Sequence, residues 1–376
     1  MRIFVVRRGD TLYSIARMFG TTTQEISYVN QLSDPNRLSV GQALVIPGGS
    51  APKLSIEVNA YAYPNIGNAT LSEALPYLTF LSPFSWQLDP SGSLTPIADE
   101  RMVTAAYDGG AAPLLTVTNI GASGGFSSET AHALFTDPAV QDAFFQNMFS
   151  VLRGRRYYGV NLNLEYVYPF DRESYNVFLQ KISQELHAKG YYLISTVAPK
   201  TSDSQSGLLY EAHDYAAHGK YCDRVVIMTY EWGYTYSSPQ AVSPVNRMRQ
   251  VLSYAVTRIP SGKLLMGFSN YGYDWRLPHR QGQPASVISN VAAQNLAASK
   301  YAEIKFDTAA QAPYFNYTAP DGVRHEVWFE DARSVRARLR LVSEFDLAGI
   351  SYWTVNFQNR AGFAVLGSEY SVEKIV

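Results

Sequence analysis

The chain has one cysteine, Cys222, in 376 residues. A single thiol excludes an intrachain disulfide framework, so the fold must rest on its apolar core and hydrogen bonds. An excess of charge is also missing: 31 Lys and Arg stand against 32 Asp and Glu, for a net charge of -1. That balance offers no polycationic face to nucleic acid or to an anionic membrane surface. No apolar run approaches the length of a membrane span. The opening stretch, Met1-Arg2-Ile3-Phe4-Val5-Val6-Arg7-Arg8-Gly9-Asp10, lacks the apolar centre of a secretory signal. The expectation is a protein made in a reducing compartment and released without the usual export route, with no nucleic-acid or membrane partner. The six histidines are scattered; only His213 and His218 are close, and a five-residue spacing does not share a helix face. No metal site and no cofactor are expected.

Hydrophobic residues make up 46% of the chain, ample for a large core and for more than one domain. Residues 1–48 read as a compact βααβ unit. Val5-Val6 is a short strand, Gly9-Asp10-Thr11 a turn and helix cap, and Leu12, Ile15, Ala16 and Phe19 follow at helical spacing. A second helix runs from Thr23 to Asn30, and Gly41–Pro47 returns as a strand. Gly48-Gly49-Ser50-Ala51-Pro52-Lys53 has linker composition, which sets 49–53 as a connector between separate cores.

From Leu54 the pattern becomes strand, helix, strand, helix. Expected strands are 54–62, 78–86, 113–119, 158–165, 191–198, 223–231, 263–272 and 348–354. The clearest helices are Pro138–Leu152, Arg172–Lys189 and Pro244–Arg258. Eight βα units over 54–376 fit an α/β fold closed as a (β/α)8 barrel. An open doubly wound sheet would want a Gly-rich phosphate turn after its first strand, and Asn59-Ala60-Tyr61-Ala62-Tyr63-Pro64 is not one. The long gap before the eighth strand must hold a loop or small insertion, with Arg333–Val342 as its last helix.

One strand carries the chemistry. In Gly159-Val160-Asn161-Leu162-Asn163-Leu164-Glu165-Tyr166 the aliphatic residues alternate with polar ones, so one face is wholly polar and ends in a glutamate. Such a face suits either the wet side of an antiparallel edge strand or the C-terminal mouth of a barrel; the βα alternation around it decides for the barrel. Four of the five tryptophans, Trp86, Trp232, Trp275 and Trp353, sit at or just past expected strands. Core packing is the ordinary fate of one such residue, but four at strand ends suit stacking on flat apolar faces such as sugar rings.

Val6, Gly9-Asp10-Thr11-Leu12, Ile15-Ala16, Phe19, Thr23, Ile26, Asn30, Leu38, Gly41-Gln42, Leu44 and Ile46-Pro47 give the first unit a close resemblance to a lysin motif (LysM) domain. The resemblance implies binding of N-acetylglucosamine-containing glycans such as peptidoglycan or chitin, around Gly9, Asp10, Thr11 and Leu12 and around Leu32–Leu38. The larger part resembles glycoside hydrolase family 18, in particular its spore cortex-lytic N-acetylglucosaminidases. The pieces that carry this are Gly159–Tyr166, Val197-Ala198-Pro199-Lys200, Ile227–Tyr234, Met266–Trp275 on the seventh strand, His325–Asp331 and Gly349–Trp353.

The resemblance implies a retaining hydrolysis in which the substrate's own 2-acetamido group replaces a protein nucleophile. Glu165 matches the acid/base, Tyr230 the residue that binds the acetamido oxygen, and Trp353 the floor under the sugar. Asn161, Glu231, Trp232, Tyr271 and Trp275 fall where substrate contacts are expected. Many members carry Asp where this chain has Tyr158, Asn161 and Asn163. Asn163 keeps hydrogen-bonding capacity but no charge, which argues for a few kcal/mol less transition-state stabilisation. The resemblance further implies a monomer acting on peptidoglycan in a spore, with one LysM unit where its relatives usually have two. The alternatives at this point are a chitinase of the same mechanism and a glycan-binding protein without activity.

Overall fold

The computed structural model describes residues 1–49, 54–121 and 123–376; Ser50–Lys53, most of the expected connector, lie outside the described residues. Eight parallel strands, Leu54–Ala62, Phe80–Pro83, Ala112–Thr118, Gly159–Asn163, Tyr192–Val197, Arg224–Ile227, Leu264–Ser269 and Gly349–Trp353, pair in sequence order. The last pairs with the first, so the sheet closes into a barrel. Outward-facing aliphatic residues of these strands join the surrounding helices in one large core.

The interior is layered because residues two apart share a face. Phe80, Ala112, Leu114, Ile194, Val226 and Leu265 form an apolar layer. Toward the strand C-termini the next layer is polar and neutral. Asn161 donates to the hydroxyls of Tyr61 (3.0 Å) and Ser82 (3.1 Å) and accepts from Thr196 (3.1 Å). Ser82 donates to Asn59 (2.8 Å), which donates to Ser351 (2.8 Å). Every member is buried, and mutual hydrogen bonding offsets the cost of taking these groups out of water.

The structure shortens several expected strands, the second among them, from 78–86 to Phe80–Pro83. The seventh ends at Ser269, because the Asn270 side chain turns away to the carbonyls of Thr354 (3.0 Å) and Phe357 (2.8 Å). Tyr271–Leu277 therefore belongs to a separate antiparallel sheet with Ser286–Ser289, Lys305–Asp307, Ala312–Thr318 and Arg324–Trp328. This sheet, with the helix Asn290–Ser299, is the insertion anticipated before strand eight. The sixth strand stops at Ile227 in tight turns, with Thr229 donating its hydroxyl to the Gly267 carbonyl (2.8 Å). The fourth stops at Asn163.

The N-terminal unit pairs Arg2–Val5 with Ala43–Ile46 around two capped helices, Leu12–Phe19 and Thr23–Asn30. It has a core of its own: Val6, Leu12, Ile15, Ala16, Ile26, Leu44 and Ile46. It is nevertheless not free of the barrel. Val45 is part of the barrel's core cluster, and Met1, Ile3 and Val29 pack against it. The Asn295 side chain bonds Gln31 O and Ser33 N, both at 3.0 Å, and Ile304 N donates to Val40 O (2.9 Å). The Arg360 guanidinium pairs with Glu73 (2.7 Å) and lies 4.1 Å from the Tyr28 ring. Gly41 adopts φ +84°, and a Cβ there would meet the Ile304 carbonyl oxygen at 1.9 Å, so the two parts touch where only glycine fits.

Candidate active site

A cleft of about 650 Å³ opens at the C-terminal mouth of the barrel. Asn163, Glu165, Tyr230, Glu231, Trp232 and Trp353, all expected from the sequence, line it together. Trp353 is braced edge-on by Phe84 (4.8 Å between centroids) and Tyr63 (5.9 Å), while Tyr230 lies nearly parallel to it at 6.5 Å. Edge-on packing fixes the indole and leaves a flat face to the cleft. The Tyr230 ring owes its place to Gly267, where a Cβ would come within 2.9 Å of it.

Glu165 follows the last paired residue of strand four, and burial pushes its carboxyl up to about 7, with the hydrogen bond from Asn163 opposing the shift. No charged neighbour contributes, so desolvation alone holds the proton. Asn163 is buried, and its Oδ1 has no partner among the described residues. The only other carboxylate lining the cleft among the described residues, Glu231, stands at φ +65° and accepts hydrogen bonds from the hydroxyls of Tyr271 and Tyr273. Desolvation raises its pKa, and those two hydroxyls oppose the rise.

The other expected contact residues do not line this cleft. Asn161 is fully buried in the polar layer beneath the cleft, with its hydrogen bonds satisfied there. Tyr271 stands behind Glu231, its hydroxyl given to that carboxylate. Trp275 is buried, and its indole N–H goes to the Ser237 carbonyl at 2.7 Å. In the N-terminal unit Leu12 turns into the core. Asp10 accepts from Arg7 N (2.7 Å) and Thr11 caps the first helix, so both side chains serve the turn; Gly9 and Thr11 are exposed. Trp86 is likewise core, donating to buried Asp99 at 2.5 Å. The glycine turn at 124 leaves the cleft to its neighbours Ile120 and Phe126. Sequence reasoning missed Tyr63, Phe84, Met228, Leu209 and Tyr210 on the walls, since loop residues carry no periodic signal.

A parallel barrel with a proton-holding glutamic acid at the end of strand four, under an aromatic-floored cleft, defines a glycoside hydrolase. The chain belongs to glycosyl hydrolases family 18, whose model matches residues 116–358, and the LysM domain model matches residues 4–47. It is similar to the cortical fragment-lytic enzyme of Bacillus subtilis (strain 168), at 40% identity over an alignment covering 100% of this chain and 99% of that protein. It is also similar to the crystal structure of the Bacillus cereus spore cortex-lytic enzyme SleL, with a TM-score of 0.82 at 37% identity, covering 99% of this chain and 87% of that one. A chitinase from Chromobacterium violaceum matches with a TM-score of 0.77 at 28% identity, over 82% of this chain and 98% of that one.

Proposed function

We propose that this enzyme is an N-acetylglucosaminidase of spore-cortex peptidoglycan, acting by substrate-assisted retention. Residues 1–48 serve as the wall-binding unit, 49–53 as the connector and 54–376 as the catalytic domain. Glu165 donates its proton to the leaving glycosidic oxygen as the acetamido carbonyl oxygen of the same sugar attacks the anomeric carbon. The resulting oxazolinium is opened by water, which returns its proton to Glu165. Tyr230 holds the acetamido oxygen, Asn163 accepts the acetamide N–H, and Trp353 carries the apolar face of the sugar. One observation carries this reading: a carboxyl whose pKa burial raises to about 7 stands beside an asparagine whose oxygen has no partner, as an acetamide N–H requires. The names of the similar Bacillus enzymes support cortex as the substrate and a spore as the place of action.

A chitinase of the same mechanism is the second reading, favoured by the likeness to the Chromobacterium violaceum chitinase. Parallel digestion of purified cortex fragments and chitin oligomers, with mass spectrometry of the products, separates the two. Cortex products bearing N-acetylglucosamine at the new reducing end are expected. Products ending in muramic acid, or cleavage of chitin alone, would overturn the proposal.

A further inference from the structure

The backbone ladders that hold strand four stop before the residue that does the chemistry. Pairing with strand three ends at Thr118↔Asn163, and pairing with strand five ends at Leu162↔Ser195. Leu164 and Glu165 lie beyond both, and Tyr166 then turns to φ +54°. A chain end with no ladder is free to fray, yet this one must hold a carboxyl in place.

Two buried side chains take over the ladder. Asn119, one residue past strand three, accepts the Glu165 N–H through its Oδ1 (3.0 Å) and returns a hydrogen bond to the Glu165 carbonyl through its Nδ2 (2.8 Å). The same Nδ2 reaches the Ser127 carbonyl at 3.0 Å. On the other side His213 fills the gap to strand five. Its Nδ1 accepts the Ala198 N–H (3.1 Å), which fixes the other ring nitrogen as the protonated one, and Nε2 donates to the Leu164 carbonyl (3.0 Å). Both residues are buried. Burial also lowers the His213 pKa to about 4, so the ring stays neutral and keeps this pattern of one acceptor and one donor.

We infer that Asn119 and His213 are positioning residues, side-chain rungs that extend the barrel ladder past its backbone end and hold Glu165 in its place on the cleft lining. Neither touches the cleft; each acts through the main chain of residues 164–165. The inference rests on the reading of Glu165 as the acid.

Kinetics of four variants on one soluble cortex fragment test it. Asn119→Leu removes all three hydrogen bonds of its side chain and His213→Leu removes both of its own, while His213→Gln offers one acceptor and one donor again. Displacement of Glu165 should lower kcat in both leucine variants by roughly 10- to 100-fold, with KM within about twofold. Its carboxyl should also become more hydrated, so the alkaline limb of kcat should move to lower pH. Tyr61, Tyr166 and Tyr230, the tyrosines that feel its charge, all have raised pKa values; the other cleft carboxylate, Glu231, is raised too, but its hydrogen bonds come from Tyr271 and Tyr273 and not from the rungs, so a limb that moves with the rungs reports Glu165. His213→Gln should regain most of the lost kcat and restore the limb. Folding is followed by thermal melting; should Asn119→Leu not fold, the two His213 variants decide. A folded leucine variant with wild-type kcat, or one losing kcat with the limb unmoved and no rescue by glutamine, overturns the inference. Glu165→Gln is the fourth variant: full turnover by it would refute the acid assignment itself and not the rungs.

Discussion

Asn163 stands beside the Glu165 carboxyl, where it opposes the rise of that group's pKa, and leaves its own Oδ1 without a partner among the described residues. The pair therefore has one proton to give and one acceptor to offer, and no net charge while Glu165 is protonated. Asn163→Asp places a second carboxylate in that pair. Like charges disfavour joint ionisation, so the Glu165 limb should move to higher pH and turnover should rise as the new charge offsets the oxazolinium. Turnover of both forms on one cortex fragment between about pH 4 and 8 checks this. An equal or lower rate at every pH would show that the site is built around the neutral residue.

Glu165→Gln keeps the shape and removes the proton. Hydrolysis should fall below detection while binding to cortex fragments persists. Stability supplies a second readout. The Glu165 pKa is raised from 4.5 to about 7 in the folded chain, so the folded state binds more protons than the unfolded one between those values. Its contribution to stability is fully present below the unfolded pKa and is lost as pH rises through about 7. Glutamine has no charge to desolvate, so the melting temperature of the variant relative to wild type should climb from about pH 5 to about pH 8. A constant difference across that range would contradict the buried-acid reading.

Much of this site was legible in the alternation of residues 159–165 once the βα pattern around it set that polar face, ending in Glu, at a barrel mouth. The eight strands were legible for the same reason, as their apolar faces repeat. Asn119 and His213 were not: a side chain that imitates backbone leaves no period. Nor was the break at Asn270, since the apolar and aromatic run continues straight from strand seven into Tyr271–Leu277. Nor was the burial of Trp275, since an indole needs only one carbonyl to become interior.

The contact between the N-terminal unit and the barrel changes what truncation should do. Removing residues 1–53 strips cover from Val45's neighbours and unpairs the contact of Arg360 with Tyr28. The expected result is a catalytic part that still cleaves soluble fragments, melts several degrees lower and no longer sediments with insoluble wall. Gly41→Val should mimic the loss of stability, by about 1–3 kcal/mol, because the position needs positive φ and has no room for a Cβ. A melting temperature equal to wild type in both variants would mean that the interface contributes nothing.

The assisted mechanism places a demand on the substrate. Without an acetamido group on the sugar at the cleaved bond there is no nucleophile. Fragments with a free amine at that sugar should resist cleavage, and a thiazoline analogue of the oxazolinium should compete with substrate. Ready cleavage of the amine form would point to a protein nucleophile.

The floor beneath Glu165 holds amides and hydroxyls and no fixed charge. Water in the open cleft is then the chief agent that can draw the proton away. A glycan seated on Trp353 displaces that water, and the carboxyl becomes a weaker acid as the substrate arrives. The bound sugar thus primes its own proton donor. The alkaline limb of kcat, which reports the complex, should lie above that of kcat/KM, which reports the empty cleft.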